Sequence, residues 1–489
     1  MKIQQSVLPF KIDFQRSATR ATAHAGLPLV LEALRAVMHK SAYRRLARAI
    51  GLKGWRTARR HLESLVLLVA AGGDHLSDLV FLRADEGLRR LVGFELSSPT
   101  QAKEFLYAFH QAEDGRRLMA EDDEELSVKG EARIRAEGPG LKALGEMVQE
   151  LVRRVQATSQ RRRATLDVDA TIIEALKEAA LKAYEGTVGY QPQMAWWAEQ
   201  MMWVADEFRD GNVPAAFKVK DFLVRAFAAL PGSVVERRLR GDSALYDEDA
   251  LSWAADEAGI EFVVSADMSP SLLAKIEALP ETAWRPYRTL KERAAEQRAA
   301  QAEEREWAEV LDFVPDWRRN RRKGGVALRY VAIRVRSRQR DLLQEDGQRW
   351  QHFAVVSNMS WDGEHLLRWH REKQGTVEHA HGMMKNELAG GTLPCGRFGA
   401  NAAWWRLNVL VVNLLQLVKV KALPPEMALL RPKALRFRLL NLPGVVIRHA
   451  RRVLLRLAEG HPVLRFYAAA REAIASLLCS PGEALRPGT

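Results

Sequence analysis

Cysteine is nearly missing from this sequence: a chain of 489 residues has two, Cys395 and Cys479, far apart and without metal-ligand spacing. That excludes a disulfide scaffold and a cysteine-based zinc site, and it fits a reducing compartment. A long hydrophobic run is missing too. The most apolar stretch, Trp404–Val418, is interrupted by Arg406, Asn408, Asn413 and Gln416, so it predicts a buried helix and no membrane span. Met1–Arg20 has no apolar stretch ahead of a small-residue cleavage site, and a soluble, cytoplasmic protein is expected. Neither an internal repeat nor a low-complexity tract is apparent. Acidic residues are the scarcer charge: Asp+Glu 61 against Lys+Arg 74 gives a net +13 and a pI near 9.8. Such a surface favours a polyanionic partner, because each neutralised phosphate releases condensed counterions.

What is present suits a folded globular chain: 47% apolar and 28% charged residues, with length for roughly two to four domains. Residues 1–160 predict a helical region. Leu27–His39 and Arg59–Ala71 carry apolar residues at three- and four-residue spacing, and Ser98-Pro99-Thr100-Gln101 has the makings of a capped helix start. Residues 120–137 are strongly charged and predict an exposed helix or linker. Residues 161–269 then alternate strands and helices. Strands are expected over Ala164–Ile173, Val188–Trp197, Met201–Phe208, Ser233–Arg240 and Ile260–Ser265, with helices over Pro214–Leu230 and Asp247–Ala258.

Residues 270–352 interrupt this α/β core. A charged run, Leu290–Val310, predicts a helix; a basic cluster follows, with Arg318, Arg319, Arg321, Arg322 and Lys323. In Val331–Arg338, alternation places Arg334, Arg336 and Arg338 on one face as a basic ladder. The cluster and ladder together point to phosphate contact. The core resumes over 353–425, with a strand at Phe353–Ser357 and a helix from about Asp362 to Leu388. Residues 426–489 predict a basic helical region carrying Arg436, Arg438, Arg448, Arg451, Arg452 and Arg456.

Three places supply carboxylates that could converge on hard divalent ions, which prefer oxygen ligands. In Leu166-Asp167-Val168-Asp169, period-two alternation puts both acids on one strand face, and either could be the ligand. In Gly241-Asp242-Ser243 an acid follows a β-rich segment, where open α/β sheets place their sites. Steps of three and four from Glu378 reach Arg371, Gln374, His381 and Lys385, giving one helix face a carboxylate among cations. His379 and His381 lack the further His or Cys that a zinc site needs.

Asp169-Ala170-Thr171, Gly241-Asp242-Ser243 and the Glu378–Lys385 helix together resemble the insertion-sequence DDE transposases, most of all the bacterial insertion-sequence family thirteen-eighty. Tyr190-Gln191-Pro192, Glu207–Asn212, Cys395–Asn401 and Arg436-Phe437-Arg438-Leu439 are further similar stretches, and the likeness covers about residues 25–460. It implies an α/β fold with an RNase H-like core, a β-rich insertion ahead of the Glu helix, and helical flanks. It also implies that Asp169, Asp242 and Glu378 hold two Mg²⁺ or Mn²⁺ ions. The implied partners are the element's terminal inverted repeats and target DNA, cut and joined by a homodimer, and the implied location is the nucleoid. Related enzymes carry a Tyr-Arg-Glu-Lys signature on this helix; here Glu378 and Lys385 fit it, while Arg371 and Gln374 replace the Tyr and the Arg. A catalytically silent DNA-binding descendant and an RNase H-like nuclease without strand transfer are the competing readings.

Overall fold

Val188–Tyr190, expected to run on into Gln193–Trp197, instead pairs with Ile173–Glu174 and Leu181–Lys182 in a separate small sheet, and the other five strands of residues 161–269 lie in one large sheet. In this computed structural model they are β1 (Arg163–Ala170), β2 (Gln193–Trp197), β3 (Met202–Glu207), β4 (Glu236–Gly241) and β5 (Glu261–Ser265). The structure describes residues 20–119, 121–122, 131–176, 180–183, 185–287, 304–319, 327–336, 350–450 and 452–478. β1, β2 and β3 are antiparallel neighbours, whereas β4 runs parallel to β1, and β5 parallel to β4. The parallel crossover is made by α2 (Val219–Ala228), whose buried Phe222, Leu223, Ala226 and Phe227 follow the helical spacing seen in the sequence.

The segment 270–352 does not stand apart from this sheet. It contributes β6 (Arg285–Pro286), β7 (Glu304–Val310) and β8 (Arg329–Arg336), and β9 (Gln351–Ser357) joins them antiparallel to β5. The complete order is β6-β7-β8-β9-β5-β4-β1-β2-β3. The helix expected over Leu290–Val310 is corrected here: Glu304–Val310 is a strand, and residues 288–303 lie outside the described residues. In register Glu304 falls opposite Arg336 and Glu306 opposite Arg334, and the Glu306 carboxylate binds the Arg334 guanidinium. Of the expected basic ladder, Arg334 and Arg336 lie on β8, and Arg338 lies outside the described residues. Arg334 is buried, bound to Glu281 and Glu306 and lying over Trp284 and Trp350 at 4.4 Å each.

The helix expected from Asp362 to Leu388 is two helices, α3 (Gly363–Arg371) and α4 (Lys373–Asn386), meeting at Glu372. The Trp369 carbonyl at the end of α3 accepts from the Arg240 guanidinium at 2.8 Å, and the turn there tightens, with Glu372 N–H reaching the same carbonyl. α5 (Phe398–Ala422) is buried throughout Phe398–Val418, as expected of Trp404–Val418. It packs on α1 (Pro139–Ser159), on the helix Trp55–Ala71 and on β3. Two of its polar residues are bound inside: Arg406 meets Asp206 at 3.0 Å and also Glu137, and Asn413 both accepts from Trp203 N–H (3.0 Å) and donates to its carbonyl (2.8 Å). Among the described residues no single helix is long and apolar enough to cross a membrane.

The N-terminal region is helical from Leu27 onward, and Ser98 and Gln101 form the expected reciprocal cap. The C-terminal region is corrected: Arg448, Arg452 and Arg456 sit on a hairpin, Gly444–His449 with Arg452–Leu457, which pairs with Ala21–Thr22. A four-residue spacing is even, so it fits one face of a strand as well as a helix. The last helix, Leu464–Ala475, returns to Leu27–Val37 through Tyr467 Oη donating to the Ala25 carbonyl at 2.6 Å.

Candidate active site

β1 and β4 are parallel and in register, with Asp167 opposite Arg240. Asp169 and Asp242 each lie two residues further on, so the alternation of both strands delivers their carboxylates to one place at the C-terminal end of the pair. Gly241 leaves room for the close turn there: a Cβ on it would come to 2.5 Å from the Leu245 side chain. Asp242 caps the short helical turn Ser243–Leu245 by accepting from Ala244 N–H at 3.0 Å, and its side chain remains 48% exposed. His370 on α3 donates to the Gly241 carbonyl at 2.9 Å; burial depresses its imidazole to about 4, so it holds the turn as a neutral ring.

α4 lies against β1. It is fixed by Asp167, which is fully buried and held by both guanidinium arms of Arg240 at 2.6 and 2.9 Å and by the Thr376 hydroxyl. The same guanidinium reaches Glu372 at 3.0 Å and lies 4.9 Å over the Trp369 ring. Asp167 is therefore consumed by internal partners, while Asp169 faces the helix side chains at the strand end. Lys373 Nζ stands 3.4 Å from Asp169 and 3.6 Å from Asp242. His381 Nε2 stands 3.8 Å from the other Asp169 oxygen, its ring tilted against Trp203 at 5.1 Å and neither nitrogen hydrogen-bonded. Burial pushes the Asp169 carboxyl up to about 6, opposed by the Lys373 ammonium and reinforced by the Asp242 charge. Burial takes His381 down to about 3, with Lys385 and Lys373 adding to the effect.

Glu378 is exposed on α4, five residues after Lys373 and three before His381, the two side chains that approach Asp169. At about 100° per residue it projects roughly 60° around the helix from His381. Among the described residues, Asp74, His75 and Asp78 are the only His, Cys, Asp or Glu trio whose ligand atoms all lie within 4.8 Å of one another; Asp169, Asp242 and Glu378 do not form so tight a cage. Lys385 donates to the Ile172 carbonyl at 3.3 Å, just past β1, and Arg371 is half-buried at the end of α3. Arg318 is bound to Asp256 at 2.8 Å, and Arg334 is buried between Glu281 and Glu306. Arg336 is half-buried over Trp350. Of Arg319 only the backbone is described, and Arg321, Arg322 and Lys323 lie outside the described residues. Sequence reading missed Lys373, Arg240, Thr376 and His370. Lys373 was visible on the Glu helix, but steps of three and four from Glu378 pass over it.

The donor chemistry fits a hard divalent ion: two carboxylates share one cation, one of them opens to solvent, and an unpartnered imidazole stands beside the other.

In fold the chain resembles a solved transposase. It is similar to the piggyBac transposase of a synaptic complex with hairpin DNA, with a TM-score of 0.50 and 12% identity over 94% of this chain and 86% of that one. No curated protein matches it. The chain belongs to the family described as transposase DDE domain group 1, whose model matches residues 7–479. It is an enzyme of DNA cleavage and strand transfer, and DDE transposases act with divalent metal ions.

Proposed function

We propose that this chain is the transposase of an insertion sequence of the family thirteen-eighty type, working by cut-and-paste on its own element. It binds the terminal inverted repeats, cuts the element ends with water and joins the freed 3′-hydroxyl to target DNA. The observation that carries this reading is the pairing of Asp169 and Asp242 at the ends of two parallel in-register strands, with α4 laid against β1 beside them. Its five strands β3-β2-β1-β4-β5 support an RNase H-like core, with the sheet extension 270–352 inserted ahead of the Glu helix.

Asp169, Asp242 and Glu378 are the residues that would hold two Mg²⁺ ions, with Mn²⁺ able to replace them. Such ions would activate the attacking oxygen and stabilise the departing one, and a pair of ions draws on more than one set of ligands, so one tight cage is not needed. Asp167 serves as the internal anchor of α4 and not as a ligand, because Arg240 and Thr376 occupy its oxygens. Arg371 and Lys385 orient DNA phosphates alongside, and the two element ends are held by a dimer formed on DNA. Catalysis draws on positioning and charge neutralisation.

The test is incubation of the purified protein with DNA carrying the element ends and Mg²⁺. Cleavage followed by strand transfer is expected, and Glu378→Gln should abolish cleavage while end binding persists. Binding without cleavage by the unaltered protein would favour a silent binder, cleavage without joining a nuclease, and cutting by Glu378→Gln would remove Glu378 from the site.

A further inference from the structure

The Lys373 ammonium is set between two carboxylates without being clamped to either. Its distances of 3.4 Å to Asp169 and 3.6 Å to Asp242 exceed the roughly 2.7–2.9 Å of a charge-assisted hydrogen bond. A few residues away, Arg240 on β4 grips Asp167 on β1 at 2.6 and 2.9 Å, so a tight ion pair between the strands stands beside the looser contacts of the helix lysine. Lys373 is nevertheless buried, with only 9% of its side chain exposed, while Asp242 opens to solvent. A buried cation lying between two acids stabilises them against mutual repulsion, and a four-carbon stem lets it move aside.

We propose that Lys373 is a resident counter-cation: it holds Asp169 and Asp242 together in the metal-free protein and is displaced when a divalent ion takes the same oxygens. This rests on the metal-binding reading of the site. It makes Lys373 a positioning residue whose charge competes with the ion during loading. Its displacement frees an ammonium beside the reacting phosphate.

Two measurements on the full chain test it, with Mn²⁺ alone as probe. In the first, free Mn²⁺ is titrated by electron paramagnetic resonance. Lys373→Met should bind Mn²⁺ more tightly by about tenfold or more at low ionic strength, because the competing charge is gone; Lys373→Arg should stay at or below the affinity of the unaltered protein. Equal or weaker binding by Lys373→Met overturns the proposal. Asp169→Asn with Asp242→Asn is the control: if Mn²⁺ binding survives that double change, the metal-site reading itself fails and the counter-cation role falls with it. The second measurement needs no Lys373 variant. Acetylation of Lys373 in the unaltered protein, followed by mass spectrometry, should accelerate severalfold on Mn²⁺ addition, while the exposed Lys142 is unchanged. A Lys373 rate that stays constant or falls overturns displacement.

Discussion

Arg240 closes both arms of its guanidinium on Asp167 across the parallel pair β1–β4, with neither side chain open to solvent. A buried pair of this kind is costly to break from one side, because the remaining charge stays buried without its partner. Arg240→Met should therefore destabilise the fold by about 3–5 kcal/mol, and the double change Asp167→Leu with Arg240→Met should recover most of that loss. Urea midpoints of Arg240→Met, Asp167→Leu and the double variant measure it. Additive losses in the double variant would contradict the anchoring role.

The two acids of β1 should separate under the same conservative change. Asp169→Asn should eliminate DNA cleavage with little change in the unfolding midpoint, since it removes one of two like charges from the pair facing Lys373. Asp167→Asn should lower the midpoint and leave measurable cleavage in whatever fraction stays folded. The opposite pattern would exchange their roles.

DNA binding should weaken steeply with salt, and the slope of log K against log salt should report which cations meet phosphates. Lys385→Ala and Arg371→Ala should each reduce that slope by about one. Arg334→Ala should leave it unchanged, because its charge is already matched by Glu281 and Glu306. A slope reduced by Arg334→Ala would restore that residue to the interface.

Acid should loosen the junction of the two termini at Asp85. Burial alone would raise this carboxyl, but hydrogen bonds from His24, Leu88 N–H and Thr22 overcome it and hold it below its ordinary value of 3.8. A carboxyl depressed by folding contributes stability above its unfolded pKa and loses it as pH falls through the folded value. The stability advantage of the unaltered protein over Asp85→Ala should be constant near neutrality and disappear at pH well below 3.8. Chemical denaturation across that range checks it; a difference independent of pH would assign the effect to packing.

Much of this architecture was legible because it is local. Alternation in Arg163–Ala170, apolar spacing in Val219–Ala228 and the Ser98–Gln101 cap depend on near neighbours in sequence, and the structure has all three. Asp169 and Asp242 could be singled out from strand ends and a Gly-Asp turn. The division of labour between Asp167 and Asp169 could not, because both face the same way along β1. What separates them is Arg240, distant in sequence, and the register that sets it opposite Asp167. Glu304–Val310 was misread because its acids face arginines on the next strand, a pairing that no spacing within one segment reveals. Lys373 was overlooked because its meaning lies in two carboxylates on other elements.

The nine-stranded sheet also ends safely on both sides. At one margin the last strand is only Arg285–Pro286, where the ring nitrogen has no hydrogen to offer an incoming chain. At the other, Asn413 already engages both polar groups of the Trp203 backbone, and Gln149 takes the Val204 carbonyl. An unguarded margin would invite neighbouring copies to add strands wherever many molecules crowd along one polymer. Any contact between copies of this protein would then use surfaces other than these two sheet margins.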